Sequence, residues 1–452
     1  MPPAEHQLSN ALAIILTAIV VSLLFWDARY SIYRLLTARN VTLLSVLLWY
    51  LLEAVRLPDD LDRFSQSEYD IGIFCVMLAM LMFLFGYHRS NSTVFDDLSG
   101  RLVKIDSENV IWTLFLGGTA IGLAPMLYFA DFQVAVLFDG MFGMEKRWTW
   151  ALERGRFGDL RAALLELQMF LRAVTPLAAV ILFSPRAKSY RRIICALFLA
   201  WMLLRANASG MRSALVPIVL PIAAAVFWRA GVQWRKRLIV IGLPLALVAG
   251  YYYAAFVVAN RSEGSADLEK TVVAANEYTG FEMFRELIFI LEVVPGEVNY
   301  QYGRSYLNQL INPIPRYFWS GKPVWDAGIL LARAKGHVGD DGQVYMTNSP
   351  GFVGETYLNF GFLGLLLIPF AAGWLIRAWD RLLMLCDRSF LVFAVYAGGL
   401  GNVLASGRSI SMSTFYGMAA LYILLILIEA VQSDRKTSRR DVSRDDVRGV
   451  RA

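Results

Sequence analysis

This sequence predicts an all-α polytopic membrane protein, on three observations. The 452 residues are 57% hydrophobic and only 18% charged, where soluble domains carry about a quarter charged residues. Mean hydropathy is +0.49. The apolar residues gather into about eleven runs, most of them near the ~20 residues that a helix needs to cross a ~30 Å hydrocarbon core. These runs are 8–26, 36–56, 69–87, 110–130, 166–184, 191–206, 213–229, 237–259, 352–376, 389–407 and 411–431, with 191–206 and 213–229 the weakest.

Basic residues orient the spans. Arg29, Arg34 and Arg39 follow the first span, Arg89, Arg101 and Lys104 the third, and Arg186, Lys188, Arg191 and Arg192 the fifth. Arg229, Arg235, Lys236 and Arg237 follow the seventh, Arg377, Arg381 and Arg388 the ninth, and seven more arginines and lysines lie between Arg435 and Arg451. Under strict alternation all of these fall on one side, the cytoplasmic one. The acidic loop 57–68, with Asp59, Asp60 and Asp62, suits the opposite side; the basic loop 131–165 fits less well. The N-terminus is then outside and the C-terminus cytoplasmic. The chain divides into transmembrane helices 1–8 (1–259), a large extracytoplasmic loop (260–351), helices 9–11 (352–431) and a polar tail (432–452) that reads as disordered. Met1–Gln7 lacks a positive n-region and no A-x-A-like site follows, so the first span reads as a retained helix. The basic loops account for the formal charge of +6 without a nucleic-acid partner. Cys75 and Cys195 lie in spans and Cys386 on the cytoplasmic side, which suggests neither a disulfide nor a cysteine metal site.

Two amphipathic helices are expected at the membrane interface. One lies in 131–165, where Met141, Phe142, Met144, Trp148, Trp150 and Leu152 are mixed with charges. The other is 280–294, whose Phe281, Phe284, Ile288 and Leu291 make a stripe at helical spacing, with Glu282, Arg285, Glu286 and Glu292 at polar positions.

The chemistry is expected in the large loop, because a long loop in a protein made mostly of spanning helix is a place where substrate is handled. Its charge inverts along its length. Acids dominate 261–300, whereas in 304–335 Arg304, Arg316, Lys322, Arg333 and Lys335 face a single acid, Asp326. An extracytoplasmic excess of cations runs against the positive-inside trend and points to a bound anion; a diphosphate suits, because guanidinium groups hold phosphate oxygens in pairs. A solvated loop face or attraction to anionic lipid is the plain alternative. Pro313, Pro315 and Pro323 rule out a long helix and should hold Arg316 and Lys322 on a stiff, extended scaffold. Tyr317 and Trp319 suit interface anchoring or stacking on sugar faces.

Further candidates lie at span ends. Arg205 and Arg212 bracket the start of ANASGMRSALVP, and Arg408 sits in ASGRSIS. Ionisable groups at membrane depth default to functional hypotheses, although snorkelling is an adequate explanation at a span end. In GFVGETYLNFGFLG (351–364), Glu355 and Asn359 are four apart and share a helix face. Glu355 serves either as a general base or sugar-hydroxyl ligand, or as the structural counter-charge of an arginine. Metal signals are weak: Asp60-Leu61-Asp62 has a D-x-D spacing, and His337 with Asp340 and Asp341 reads first as a turn. With His6 and His88 the only other histidines, a histidine-rich zinc site is excluded, and no metal or cofactor is expected.

The order INPIPRYFWSGKP, then GETYLNFGFLG, with YGRSYLNQL and ANASGMRSALVP upstream, resembles the Wzy-type oligosaccharide repeat-unit polymerases over roughly residues 205–364. What the resemblance implies is a glycosyltransferase-C-like enzyme of the bacterial inner membrane that polymerises O-antigen or exopolysaccharide. Donor and acceptor would be undecaprenyl-diphosphate-linked glycans met in the membrane lipid, with a chain-length regulator and a flippase as protein partners. The family's periplasmic arginines map onto Arg212, Arg316 and Arg408, which would hold the lipid diphosphates and stabilise the leaving group. Arg304 and Lys322 add to that cationic set, Tyr317, Trp319 and Asn359 are the candidate sugar or interface contacts, and Glu355 is the candidate base for the acceptor hydroxyl beside its structural alternative. The rival readings are an O-antigen ligase acting on lipid A core and a lipid-linked oligosaccharide flippase or transporter. The latter would need polar residues at mid-membrane depth in several spans.

Overall fold

The structure, a computed structural model, describes residues 6–30, 32–56, 65–138, 166–208, 212–230, 232–242, 283–311, 316–339, 349–408 and 419–429, with residues 164, 245, 248–250, 252, 314, 342, 344 and 417 between them. Among the described residues the fold is all-helical; pairing of β type is confined to one bridge, Val338 to Val344. Five helices are long and apolar enough to cross a membrane: Ala38–Val55, Gln66–Arg89, Glu108–Phe129, Glu166–Phe183 and Gly351–Leu385. Shorter apolar helices cover Ala11–Asp27, Leu215–Arg229, Phe390–Ser406 and Ala419–Glu429. The predicted span 191–206 is a helix, but Arg191, Arg192 and Arg205 keep it from the composition of a crossing segment. The predicted span 237–259, the loop 57–68 with its D-x-D, and the expected interfacial helix in 131–165 lie largely or wholly outside the described residues.

In chain order the helices are α1 (His6–Tyr30), α2 (Ala38–Val46), α3 (Leu52–Arg56), α4 (Gln66–Arg89), α5 (Asp96–Ile105), α6 (Glu108–Phe129), α7 (Met169–Phe183), α8 (Ser189–Ala208), α9 (Arg212–Arg229), α10 (Val232–Arg237), α11 (Met283–Val293), α12 (Arg304–Ile311), α13 (Ala327–Ala334), α14 (Gly351–Asp380), α15 (Phe390–Ser406) and α16 (Ala419–Glu429). A π-helical turn, Leu47–Leu51, joins α2 to α3. Amides in the first turn of a helix have no partner within it, and hydrocarbon supplies none. Ser65 and Glu68 close a capping box on α4. Asp106 accepts from the amides of Phe390 and Leu391 (both 3.1 Å) while Ser389 caps α15. Asp380 does the same for α2, accepting from Ala38 N (2.6 Å) and Arg39 N (3.2 Å) and from the hydroxyls of Tyr87 (3.0 Å) and Tyr396 (2.7 Å). Four donors for one buried carboxylate tie α2, α4, α14 and α15 together at one end of the bundle.

Two hydrophobic clusters make the core. One is built by α6, α7, α8, α9, α15 and α16, the other by α1, the α2–α3 segment, α4, α11 and α14. In lipid, helices gain little hydrophobic free energy from associating, so close packing decides which of them meet. The α4–α14 crossing is made by glycine: a Cβ on Gly86 would overlap the carbonyl of Phe370, and one on Gly373 the carbonyl of Phe83. Here the two backbones touch.

The expected interfacial helix at 280–294 is instead part of the core. Phe284 and Ile288 are fully buried against Gly72 of α4, and Phe284 meets Tyr69 edge-on at 5.2 Å. The apolar stripe was legible; its partner is protein rather than lipid. The polar positions follow suit, because Glu286 is buried and paired with Lys335 at 2.5 Å. Phe281 and Glu282 fall outside the described residues.

Candidate functional site

Gly361 organises the first part of the site. At φ +59° and ψ −144° it adopts a conformation that side chains resist, and it breaks α14 into two stretches. The break releases carbonyls from the helical ladder, and Leu358 O and Asn359 O accept from the amides of Gln301 and Tyr302, both at 3.0 Å. Asn359 Oδ1 accepts from Gly303 N (2.9 Å), so residues 301–303 are fastened to the kink and α12 starts at a fixed place. Ser305 then donates to Glu355 Oε1 (2.8 Å) and accepts from Asn359 Nδ2 (2.8 Å), while Tyr306 donates to Thr356 Oγ1 (3.4 Å). Glu355, Asn359, Thr356 and Ser305 are at most 1% exposed. Burial, with the Glu355 charge nearby, pushes the Tyr306 hydroxyl above its ordinary pKa, so it stays a neutral donor.

The expectation that Glu355 and Asn359 share a face holds, and α12 fills the space in front of them. A general base has to come within hydrogen-bond reach of the proton it takes. In this arrangement the Glu355 carboxylate holds Ser305 and anchors α12. Glu355→Gln keeps a side-chain oxygen that accepts from Ser305, so it is expected to leave α12 seated, with a melting midpoint close to that of the wild type; a large drop would mean that the charge, not the hydrogen bond, holds α12.

The second part is the loop after α12. The expected extended scaffold is instead a compact run of turns. Lys322 Nζ donates back to Ile314 O (2.8 Å), Lys322 N to Trp319 O (3.1 Å) and Arg316 to Ser320 O (3.3 Å). Pro313 and Pro315 lie outside the described residues and Pro323 is not helical; the turns at 316–321 satisfy carbonyls of the loop internally where an extended strand would leave them to solvent. Lys322 is 5% exposed. Burial, and then the charge of Arg316, pushes its ammonium below the ordinary lysine range. Tyr317 and Trp319 project outward, 74% and 41% exposed. Arg304, at the start of α12, lies over the Trp325 ring at 5.8 Å. Lys335, grouped with these cations in the sequence, is committed to Glu286.

Arg408 forms the third part. Its Nε donates to Ser349 Oγ (3.1 Å), and its carbonyl and that of Gly407 accept from the first amides of α14, Gly351 N (2.9 Å) and Phe352 N (3.0 Å). Tyr50 links this corner to the Glu355 helix: its hydroxyl accepts from Val353 N (3.0 Å) and donates to Gly407 O (3.4 Å). Glu355 and Asn359 are thus joined directly, Arg316 and Lys322 are neighbours, and Arg408 reaches α14 through Ser349 and Tyr50. The Arg212 side chain, Asp340 and Asp341 lie outside the described residues. Among the described residues no group of three His, Cys, Asp or Glu is placed to hold a metal.

Ser305, Tyr306, Thr356, Ser349 and Tyr50 were not singled out by sequence. Ser305 sits in a segment that carries the resemblance, which was the available signal; Tyr50 gives none, because its partners are 303 and 357 residues away. Comparison with protein-family models, with curated proteins and with solved structures gave no match.

Proposed function

We propose that this chain is a membrane glycosyltransferase that polymerises undecaprenyl-diphosphate-linked oligosaccharide repeat units at the periplasmic face of the bacterial inner membrane. About eleven spans, a periplasmic N-terminus and a cytoplasmic C-terminus belong to the same reading. The observation that carries it is the seating of α12 on α14. The segments YGRSYLNQL and GETYLNFGFLG, which bear the resemblance, meet through Ser305, Tyr306, Glu355, Thr356 and Asn359.

The second support is electrostatic. Arg316 and Lys322 are like charges close enough to disfavour one another, and a phosphate between them would remove the conflict. In the reaction an acceptor hydroxyl attacks the anomeric carbon, the bond from that carbon to the diphosphate oxygen breaks, and undecaprenyl diphosphate leaves with the electron pair. The hydroxyl proton passes to a base or to solvent. Cations held at the leaving oxygens stabilise the developing charge and stand in for a general acid. Arg316, Lys322 and Arg408 are assigned that role, with Arg304 and Arg212 in support.

Purified protein incubated with a defined undecaprenyl-diphosphate repeat unit is expected to give a ladder of lipid-linked products on a gel. Transfer only to added lipid A core would favour the ligase instead, and no glycosyl transfer with either acceptor would sink the enzyme reading.

A pH dependence tests the anion loop. Lysine is charged below its pKa, and that of Lys322 is lowered. Diphosphate binding should therefore be strongest near neutral pH and fall as pH rises through the lowered value, before the ordinary lysine pKa of about 10.4 is reached. Lys322→Arg, charged throughout, is expected to flatten the curve. Calorimetric titration with inorganic diphosphate measures both; identical profiles would remove Lys322 from the site.

A further inference from the structure

The helix α12 is turned inside out. Ser305 and Asn308, three residues apart, are buried against the protein: Ser305 is held by Glu355 and Asn359, and Asn308 Oδ1 accepts from Trp325 N (3.1 Å). Leu307 and Leu310, also three apart and on the opposite side of the helix, are exposed, Leu310 by 58%. A helix that rests on a protein in water presents the reverse order, apolar side in and polar side out. The pattern continues past the end of α12. Ile314, Tyr317, Phe318, Trp319 and Val324 are exposed, Phe318 by 70%, while the lysine among them, Lys322, is buried. Apolar side chains gathered in this way on a protein surface mark a contact.

Position and charge say what covers this face. On α14, a helix of membrane-spanning length, Phe362, Leu363, Leu366 and Leu367 are exposed. From that side a line of rings leads to α12. Phe362 meets Tyr357 edge-on (5.4 Å), Tyr357 meets Tyr300 (6.2 Å), and Tyr300 meets the exposed Tyr302 (6.2 Å) just ahead of Arg304. The apolar face of α12 is therefore continuous with the side of α14 that a bilayer would touch. Between Tyr302 and Trp325 the chain carries Arg304, Arg316 and Lys322 and no aspartate or glutamate. Cations, tyrosine and tryptophan bordering an apolar face suit the boundary between headgroups and acyl chains, where phosphates supply the missing negative charge. The other occupants fit less well. A two-fold contact between copies would set this unbalanced charge against its own sign. A glycan can stack on Tyr317 and Trp319, but it leaves Leu307, Leu310 and Phe318 in water.

We infer that α12 and the turns as far as Val324 form a strap lying in the bilayer surface, in the leaflet at the Gly351 end of α14. Acyl chains cover Leu307, Leu310 and Phe318, and lipid phosphates meet Arg304 and Arg316. This placement depends on a bilayer and stands without the enzyme reading. The polar side of α12 finds its partners in Glu355, Asn359 and the Trp325 amide, so no polar group is carried into lipid unpaired on that side. Residues 301–303, fastened to the Gly361 break, fix the depth of the strap relative to the spans.

The test uses full-length protein, one copy per phosphatidylethanolamine–phosphatidylglycerol nanodisc, with a nitroxide attached at Leu310→Cys or at Phe318→Cys. Glu297→Cys, in the exposed turn before α12, is the water reference, and Leu363→Cys, on the exposed side of α14, is the lipid reference. The three native cysteines are buried, and labelling of the wild type measures their background. Oxygen concentrates in hydrocarbon and a nickel chelate stays in water, so the ratio of their collisions with the nitroxide reads its depth. At both strap sites the ratio is expected to exceed that of Glu297→Cys severalfold and to approach that of Leu363→Cys, with melting midpoints unchanged. The two sites lie on separate elements, so one folded variant decides the matter if the other fails to fold. A ratio equal to the water reference would place the strap in water, with its rings open to sugars, and overturn the inference. Low collision with both reagents would mean that protein covers the face and would overturn it as well.

Discussion

Replacing Arg316 with alanine is expected to abolish polymer while leaving the protein folded in the membrane. Among the described residues the only hydrogen bond of this guanidinium is to Ser320 O, in a loop outside the spans. A guanidinium has five N–H donors, so most remain available for phosphate oxygens. Its structural stake is one bond at a half-buried surface, about 1 kcal/mol, too little to unfold the helical core. Its functional stake is much larger if it stabilises charge on the leaving diphosphate, where a single lost donor costs about 10²–10³ in rate. Arg316→Lys keeps the charge but loses the paired geometry and should recover activity only in part. Gel analysis of products, together with a melting curve, separates the two stakes. Normal chain lengths with Arg316→Ala would sink the assignment of this loop.

The all-helical class was legible because hydropathy reports a transfer free energy that each span carries by itself, without knowledge of its neighbours. The same local reading marked Glu355 and Asn359 as sharing a face. It failed where the outcome depends on what lies opposite. The stripe Phe284–Ile288 is equally suited to lipid or to a glycine-lined helix, and only the fold supplied Gly72. Arg316 and Lys322 were visible as a basic cluster, yet turns rather than extension followed the prolines because the loop's own carbonyls take their donors. Tyr50 left no trace, since a tyrosine near a span end is ordinary until Val353 and Gly407 arrive from 303 and 357 residues away. Gly361 was read merely as part of a motif; its positive φ comes from the loop 301–303 that must dock there.

Gly373→Ala is expected to be among the most destabilising conservative changes in the chain, although it adds a single methyl group. That methyl would overlap the carbonyl of Phe83 and crowd the amide of Tyr87 (2.8 Å), both backbone atoms of α4 with no rotamer to escape into. The helices have to separate, and with them the Phe370–Gly86 contact one turn away. Overpacking of this kind costs about 1–3 kcal/mol, and lipid offers no hydrophobic compensation. Gly117→Ala supplies the control: α6 is also a membrane-length helix, but nothing lies within 4 Å of a Cβ at that position. That change should be neutral or stabilising by up to about 1 kcal/mol, the helix preference of alanine over glycine. Thermal melts of both variants in one detergent give the comparison; equal midpoints would mean that the α4–α14 crossing is looser than glycine contact. The consequence reaches function, because α14 carries Glu355 and Asn359 at one end. A crossing forced apart at Gly373 would displace the stretch of α14 after Gly361 more than the α12 seat, which lies beyond the break.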